Sequence, residues 1–246
     1  MKRILIVGAT SAIATACARL WAGEKACFFL VGRNHEKLEQ VSADLLARGA
    51  AASTTHALDM NDYDGHAAML DACYHALGHL DIALIAHGTL PDQSACETDL
   101  GLAIREFSSN GLSVIALLTN LANRLQAQGN GTIAVISSVA GDRGRPGNYL
   151  YGTAKAAVST FCEGLRARLF KDGVHVMTIK PGFVDTPMTQ GLPLPKALTA
   201  TPEKVAADIL NGIAKKTDTL YTPFFWRYIM MIIVLLPTFI FKRVRL

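Results

Sequence analysis

Clusters of cysteine, histidine or carboxylate residues are missing from this chain of 246 residues. Its five cysteines are scattered, odd in number and never spaced as C-x-x-C, and no histidine pair or carboxylate cluster has metal-ligand spacing. This pattern argues against a zinc site and a disulfide framework. It predicts reduced, mostly buried thiols in a cytosolic protein that binds no metal.

Charge is also scarce, since charged residues make up 18% of the chain and apolar residues 50%. The formal net charge is +4, and Lys242, Arg243 and Arg245 supply three of these charges at the C-terminal end. The rest of the chain is nearly neutral, so no basic stripe indicates a nucleic-acid partner. A composition this apolar excludes global disorder and can fill a large core.

No long apolar run is present near the start of the chain, where residues 4–7 are followed at once by Gly8. Four residues are too few for the hydrophobic region of a signal peptide, so they predict a buried first strand. No internal repeat, low-complexity tract or linker follows, which predicts one domain over residues 1–222.

Short apolar segments alternate with longer helical patterns along this domain. The predicted strands, which lack polar alternation, are residues 4–7, 27–31, 82–85, 132–136 and 174–179. The predicted helices are residues 12–21, 35–48, 63–77, 104–126, 151–170 and 203–215. This alternation predicts an α/β fold: a single doubly wound, Rossmann-like domain with a parallel sheet flanked by helices.

Tyr151, Lys155 and Ser138 bring a phenol, an ammonium group and a hydroxyl close together in the sequence. If the segment after Tyr151 is helical, Lys155 shares its face, because positions i and i+4 are neighbours. A nearby cation favours the phenolate, so Tyr151 can donate a proton to a developing alkoxide or remove one in reverse. Ser138 can hydrogen-bond the same oxygen. Taken alone, the Y-x-x-x-K spacing is usually a solvated helix face.

The turn after the first strand is a candidate site for a pyrophosphate. It reads Gly8-Ala9-Thr10-Ser11-Ala12-Ile13 and opens the first predicted helix. Backbone N–H groups at such a turn, together with the helix N-terminus, can hold a dinucleotide. Gly8 is the one glycine left of a glycine-rich loop, and the methyl group of Ala12 penalises any positive φ there.

Arg33 and Asn34 follow the second strand, where an acidic residue would accept hydrogen bonds from the ribose of NAD. A guanidinium group suits the 2′-phosphate of NADP(H) instead, although an ordinary solvent-facing arginine is the alternative. Asp59, after the third strand region, either hydrogen-bonds the adenine amine or caps the next helix.

With these motifs in order, residues 2–222 resemble the short-chain dehydrogenase/reductase family. The resemblance assigns the active-site roles to Asn110, Ser138, Tyr151 and Lys155. It implies that Asn110 holds a helix kink and a proton-relaying water, and that Lys155 also binds the nicotinamide ribose. It further implies a homodimer or homotetramer.

Two further segments bear on this resemblance. Residues 181–186 match the family's P-G-x-x-x-T motif, so Pro181, Gly182, Val184 and Thr186 are expected to contact the nicotinamide and the phosphates. Ile85-Ala86-His87-Gly88 replaces the family's N-N-A-G after the fourth strand, which places Ala86 and Gly88 beside the cofactor. His87 is expected near the adenosine half, as a packed residue and not a catalytic one.

Residues 191–216 and 223–246 lie outside the predicted core. The first segment is either a substrate lid or a simple connection. The second is an apolar tail in which a helix over residues 226–241 would rise roughly 24 Å, short of the ~30 Å hydrocarbon core and interrupted by Pro237. Aromatic residues at both ends and a basic terminus favour a segment lying in the membrane interface over an oligomer interface.

The tail and residues 86–93 also resemble, more loosely, the branch that includes decaprenylphosphoryl-2-keto-ribose reductases, which reduce a polyprenyl-phosphate keto-sugar with NADPH. We therefore predict an NADPH-dependent ketoreductase of a lipid-linked or apolar substrate, peripheral on the cytoplasmic face of the membrane. One alternative is a soluble reductase of 3-oxoacyl or other ketones whose tail is an oligomer interface. Another is a catalytically silent dinucleotide-binding scaffold or sensor.

Overall fold

The computed structural model describes residues 1–243, so Arg245 of the predicted basic terminus lies outside the described residues. Seven parallel strands form the central sheet in the order β3-β2-β1-β4-β5-β6-β9, and β7 pairs with β8. The strands are β1 (Arg3–Val7), β2 (Cys27–Gly32), β3 (Ala52–Ala57), β4 (Ile82–Ile85), β5 (Gly131–Ile136), β6 (Val174–Pro181), β7 (Phe183–Val184), β8 (Thr199–Ala200) and β9 (Thr219–Thr222). The predicted doubly wound α/β fold is confirmed.

The helices of the structure include one at residues 93–98 that was not predicted, and they otherwise agree with the predicted ones to within a few residues, with one exception. They are α1 (Ala12–Ala22), α2 (His35–Ala47), α3 (Gly65–Leu77), α4 (Gln93–Thr98), α5 (Leu100–Phe107), α6 (Ser113–Gln128), α7 (Tyr149–Leu169), α8 (Pro202–Ala214), α9 (Trp226–Leu235) and α10 (Thr238–Phe241). The exception is the helix predicted over residues 104–126, which is divided by a π-helical turn at Ser108–Leu112. Wide turns of this kind often occur at functional sites.

Two apolar cores lie on the two faces of the sheet. Successive side chains of a strand point to opposite faces, so Leu5 and Val7 of β1 pack with residues of α3, α6 and α7. Ile4 and Ile6 pack with residues of α1, α2 and α8 on the other face. Because both faces are covered, the central strands are mostly apolar, as the sequence pattern predicted, and β4 is apolar at all four positions.

The two edge strands were not among the predicted apolar runs. β3 has the sequence Ala-Ser-Thr-Thr-His-Ala, in which no residue is buried, and β9 has the sequence Thr-Leu-Tyr-Thr. An edge strand has one neighbour and less burial, so it does not need a continuous apolar sequence. Their positions depend on pairing with β2 and β6.

Strands β1, β2 and β3 extend the sheet in one direction, and β4, β5 and β6 extend it in the other. The strand order therefore reverses between β1 and β4, which are neighbours. In open parallel sheets a crevice forms at such a switch point, outside the carboxyl ends of the strands. The turn at Gly8 follows β1, the segment containing His87 follows β4, and Ser138 follows β5. The fold therefore brings the predicted cofactor and catalytic segments to one edge of the sheet.

The C-terminal tail consists of α9 and α10, which are separated at Leu236 and Pro237. The predicted interruption at Pro237 is thus confirmed. Trp226, Met230 and Ile233 form a buried inner face on α9, while its other side is exposed. Over residues 1–243, no helix combines the length and the apolar character needed to cross a bilayer.

Candidate active site

Helix α7 presents Tyr151 and Lys155 on one face, as their spacing predicted. The Lys155 ammonium lies 5.6 Å from the centroid of the Tyr151 ring. Lys155 is only 3% exposed, and its Nζ donates a hydrogen bond of 3.1 Å to the carbonyl of Ile136 at the end of β5. The ammonium is therefore held at one place beside the phenol, where its charge can act on the phenol oxygen.

Ser138 and its neighbour Ser137, at the end of β5, make different contacts. The Ser138 hydroxyl accepts a hydrogen bond from the backbone N–H of Ala140, and it lies close enough to the Tyr151 phenol to lower the pKa of that phenol. The Oγ of Ser137 donates to the carbonyl of Lys155 at 3.0 Å and pairs with Ser159. Ser137 thus fixes α7 against the sheet, a role that the sequence did not indicate, while Ser138 faces Tyr151.

Burial controls the ionisation of the two catalytic candidates. It raises the pKa of Tyr151 to about 12, and the hydrogen bond with Ser138 offsets only part of this rise. Burial lowers the pKa of Lys155 to about 8. The sequence suggested that the cation would favour the phenolate, but here the low-dielectric surroundings outweigh that effect. Tyr151 is therefore protonated at neutral pH and can act as an acid.

Asn110 lies within the π-helical turn between α5 and α6, so the kink implied by the family resemblance is present. Its side-chain oxygen accepts a 2.9 Å hydrogen bond from the backbone N–H of Thr89. Its Nδ2 donates to the carbonyl of Glu106 and to the hydroxyl of Thr89. These bonds join the kinked helix to the segment that follows β4.

One cavity of about 280 Å³ is lined by all four predicted catalytic residues. The predicted cofactor-binding residues that line it as well are Thr10, Ser11, Ala12, Ile13, Ala86, Gly88, Pro181, Gly182, Val184 and Thr186. Most of the other lining residues are apolar. The sequence-predicted catalytic and nicotinamide-binding residues therefore meet in one place.

A second cavity, of about 210 Å³, is lined by Gly8, Arg33 and Asp59. The residues that line both cavities are Thr10, Ser11, Ala86, His87, Gly88, Thr89 and Met188. The two cavities therefore form one cleft across the switch point. Asp59 also accepts a hydrogen bond from the N–H of Asn61, and it does not cap α3, which begins at Gly65.

Asn34 lines neither cavity, in contrast to the prediction that placed it with the cofactor. Its side-chain oxygen accepts a 2.9 Å hydrogen bond from the N–H of Lys37 and caps the N-terminus of α2. An Asn at this position satisfies a backbone donor of the helix, which explains the residue without a ligand.

The turn after β1 fits a dinucleotide although it has a single glycine. Gly8 has a φ of +82°, and a Cβ there would lie 2.5 Å from the backbone nitrogen of His87. Ala12 is the first residue of α1, and positive φ among the described non-glycine residues occurs at Lys25 and Lys216 alone. The methyl group of Ala12 therefore causes no strain. The N-terminus of α1 opens onto the cleft, where it can bind a pyrophosphate.

His87 lies where the two cavities meet, nearer the centre of the cleft than the expected adenosine end. Its Nε2 is hydrogen-bonded to Ser113 at 3.0 Å, whereas its Nδ1 is buried with no partner among residues 1–243. Burial lowers its pKa to about 3, so the ring is neutral at physiological pH. These contacts describe a packed histidine.

Only part of the segment predicted as a lid, residues 191–216, lies at the catalytic cavity. Leu192 and Leu194 line the catalytic cavity, but α8 packs its residues Val205 and Ile209 into the core beside α1. Arg145 and Asn148 line the same cavity and were missed by the sequence analysis. They lie in the irregular segment between Ser138 and α7, where no periodic pattern marks a residue as facing a site.

The tail packs against the wall of the catalytic cavity. Trp226 is 3% exposed and forms an apolar cluster with Val139 and Phe183, each of which follows a predicted site residue. A Cβ on Gly182 would lie 1.9 Å from Nε1 of Trp226, so only glycine allows the indole to sit there. Leu198, within the predicted lid, packs on the same cluster.

Two residues of the segment before α7 connect it to the tail and to the sheet edge. The Arg143 guanidinium donates hydrogen bonds to the carbonyls of Ile233 and Leu236 at the end of α9. It also lies 3.8 Å from the ring centroid of Phe241. Asp142 accepts hydrogen bonds from Lys180 at 2.7 Å and from the phenol of Tyr221 at 2.9 Å. The catalytic segment is therefore held by the tail.

The fold and this cleft define an oxidoreductase that uses a nicotinamide dinucleotide. The chain belongs to the short-chain dehydrogenase/reductase family, because the family profile described as short chain dehydrogenase matches residues 2–196. The family prediction is thereby confirmed, as is the prediction of an NAD(P)-dependent enzyme.

Two bacterial relatives have nearly the same length as this chain. The chain is 35% identical over 240 residues to an uncharacterized oxidoreductase of Mycobacterium tuberculosis, covering 98% of this chain and 96% of that protein. It is 35% identical over 244 residues to one of Streptomyces coelicolor, covering 98% and 95%. Coverage this complete includes most of the tail.

A solved structure has the same fold. It is a short-chain type dehydrogenase/reductase from Mycobacterium ulcerans, with a TM-score of 0.79 and 23% sequence identity over 89% of this chain and 87% of that one. At this identity the likeness shows the fold alone, so the substrate has to be argued from the site.

Proposed function

We propose that this protein is an NADPH-dependent ketoreductase that acts on a lipid-linked or otherwise apolar ketone. The observation that carries the proposal is that Tyr151, Ser138 and Lys155 line one cavity whose other walls are mostly apolar. A keto-sugar carried by a polyprenyl phosphate is one substrate of this class. Cavities of this kind bind apolar ligands and orient them through a few polar groups.

The side chains suit a proton transfer to the carbonyl oxygen. Ser138 hydrogen-bonds that oxygen and holds it beside the phenol of Tyr151, which donates the proton. The ammonium of Lys155 stabilises the negative charge that develops on the phenol oxygen, and Asn110 holds the kinked helix in place. When bound, a reduced nicotinamide would supply the hydride to the carbonyl carbon.

The rate of ketone reduction is expected to fall as the pH rises through about 8. Burial sets the pKa of Lys155 near this value, and above it the ammonium loses the charge that assists Tyr151. Tyr151 stays protonated throughout, since its pKa is about 12. The measurement is kcat/KM with saturating NADPH from about pH 6 to about pH 10. The Lys155→Arg variant should be slower than the wild-type enzyme, and its rate should not fall near pH 8. If the fall in rate near pH 8 were still present in Lys155→Met, its assignment to Lys155 would be wrong.

Arg33→Gln is expected to weaken NADPH binding by about 10- to 100-fold and leave NADH binding nearly unchanged. Arg33 is exposed at the rim of the second cavity, where its guanidinium can pair with a 2′-phosphate that NADH lacks. Titrations of both cofactors with the full chain make the measurement. Arg48→Gln, the same change at the far end of α2, serves as the control. Equal losses for NADPH and NADH would show that Arg33 does not select the cofactor.

The outer face of the tail supports a membrane-bound substrate. Phe224, Ile232, Leu235 and Phe239 are 72%, 61%, 74% and 62% exposed, in contrast to the buried Trp226. Lys242 and Arg243 follow and are exposed. An apolar face edged by basic residues binds the surface of an anionic membrane. We therefore propose that the protein binds peripherally to the cytoplasmic face of the membrane and meets its substrate there.

Oxidation of NADPH by a series of methyl ketones of increasing chain length tests the proposed activity. We expect turnover that improves with chain length and improves further with anionic vesicles. Tight NADPH binding with no turnover on any ketone would favour a silent dinucleotide-binding scaffold instead. Gel filtration with and without vesicles shows whether the protein is a dimer or tetramer.

A further inference from the structure

Arg145 is a buried cation at the catalytic cavity, and the proposed hydride transfer does not use it. It lies between Ser138 and Tyr151 in the chain and is only 9% exposed. Its Nε is buried and has no hydrogen-bond partner among the residues that the structure describes. A buried guanidinium nitrogen without a partner is costly, and the few polar groups of a ligand pocket are those that orient the ligand.

The neighbouring carboxylate does not explain why a charged Arg145 is buried at this cavity. Burial lowers its pKa, and the carboxylate that acts in the opposite direction is Asp142. That carboxylate already accepts hydrogen bonds from Lys180 and from Tyr221, one on each oxygen. The charge of Arg145 is therefore available to a ligand in the cavity.

A second polar group at the same cavity is also buried without a hydrogen-bond partner. The side-chain oxygen of Asn148 is buried and has no partner within residues 1–243. The backbone N–H of Asn148 donates a hydrogen bond of 3.1 Å to the carbonyl of Arg145, so the two residues belong to one turn. A buried acceptor beside a buried cation matches a ligand that carries both an anionic group and a hydroxyl.

We infer that Arg145 is a substrate-binding residue that receives an oxyanion, a phosphate or a carboxylate, carried by the substrate near its carbonyl group. This inference rests on the proposed ketone reduction, because that proposal makes the catalytic cavity the binding site of the substrate. Arg145 does not line the second cavity, where Arg33 lies, so the anion is not the 2′-phosphate of the cofactor. The substrate class is then an apolar chain whose reactive ketone lies beside an anionic group.

Binding of simple amphiphiles to the NADPH-loaded full chain tests this inference without turnover. Octyl phosphate, octanoate and octanol are compared by calorimetry. We expect the wild-type protein to bind at least one of the two anions about 10- to 100-fold more tightly than octanol, as for a hydrogen bond to a charged group. The stronger of the two anions identifies the phosphate or the carboxylate as the group recognised.

Arg145→Gln should abolish this preference while octanol and NADPH bind as before, and Arg145→Lys should keep part of it. Arg168→Gln, an exposed arginine at the far end of α7, should leave all three affinities unchanged. Equal binding of octanol and both anions by the wild-type protein would overturn the inference, as would a preference that survives in Arg145→Gln. Because the readout is binding, a failure of ketone reduction would be recognised separately.

Discussion

Tyr151→Phe is expected to lower kcat for ketone reduction by about 10²- to 10⁴-fold, with NADPH affinity and folding unchanged. The change removes one hydroxyl, which donates the proton and whose pKa is lowered by the neighbouring Ser138. The ring of Tyr151 keeps its place beside Lys155. Single-turnover measurements with saturating NADPH separate this loss from any change in binding.

Tyr149→Phe is the matched control for this experiment. Tyr149 is on the same helix, two residues earlier, and is 45% exposed. It is not a lining residue of the catalytic cavity. The same substitution there should leave kcat unchanged. If Tyr151→Phe kept most of the wild-type rate, another group would have to deliver the proton and the proposed mechanism would be wrong.

Trp226→Ala is expected to destabilise the protein by about 3–5 kcal/mol and to impair cofactor binding. Trp226 is almost completely buried, and its indole packs on Gly182 and against Phe183, whose ring centroid is 5.0 Å away. Its removal leaves a cavity behind the wall that should contact the nicotinamide. For a chain of this size the loss corresponds to a fall in Tm of about 6–20 °C. Thermal unfolding and NADPH titration measure both effects.

The outer face of the same helix supplies a contrasting variant. The double substitution Ile232→Ser and Leu235→Ser changes two exposed residues, so the Tm should remain near the wild-type value. Burial of each side chain in a bilayer contributes about 1.5–3 kcal/mol, so binding to anionic vesicles should weaken about 100-fold or more. Retained vesicle binding together with a smaller oligomer would assign this face to a subunit interface.

These two variants are preferable to removal of residues 223–246. The inner face of α9 belongs to the apolar cluster behind the catalytic cavity, and Arg143 binds the carbonyls at the end of the helix. Truncation would therefore remove a membrane-binding face and part of the support of the active site together. A loss of activity would then have no single cause.

The local chemistry of this protein is present in its sequence. The spacing of Tyr151 and Lys155 places them on one helical face, and apolar strands alternating with helices specify a parallel sheet. The interruption at Pro237 also follows from local geometry, because proline has no N–H to continue a helix. These features depend on neighbouring residues, so a pattern in the chain is enough to predict them.

Other features depend on contacts between segments that are distant in the chain. The polar edge strand β3 is a strand because it pairs with β2, and the burial of Arg145 depends on the elements that enclose its cavity. The apolar run of the tail predicts a hydrophobic surface but not that its Trp226 packs on Gly182. Burial and solvation are properties of the folded chain, so the raised pKa of Tyr151, the lowered pKa of Lys155 and the two faces of α9 became evident only in three dimensions.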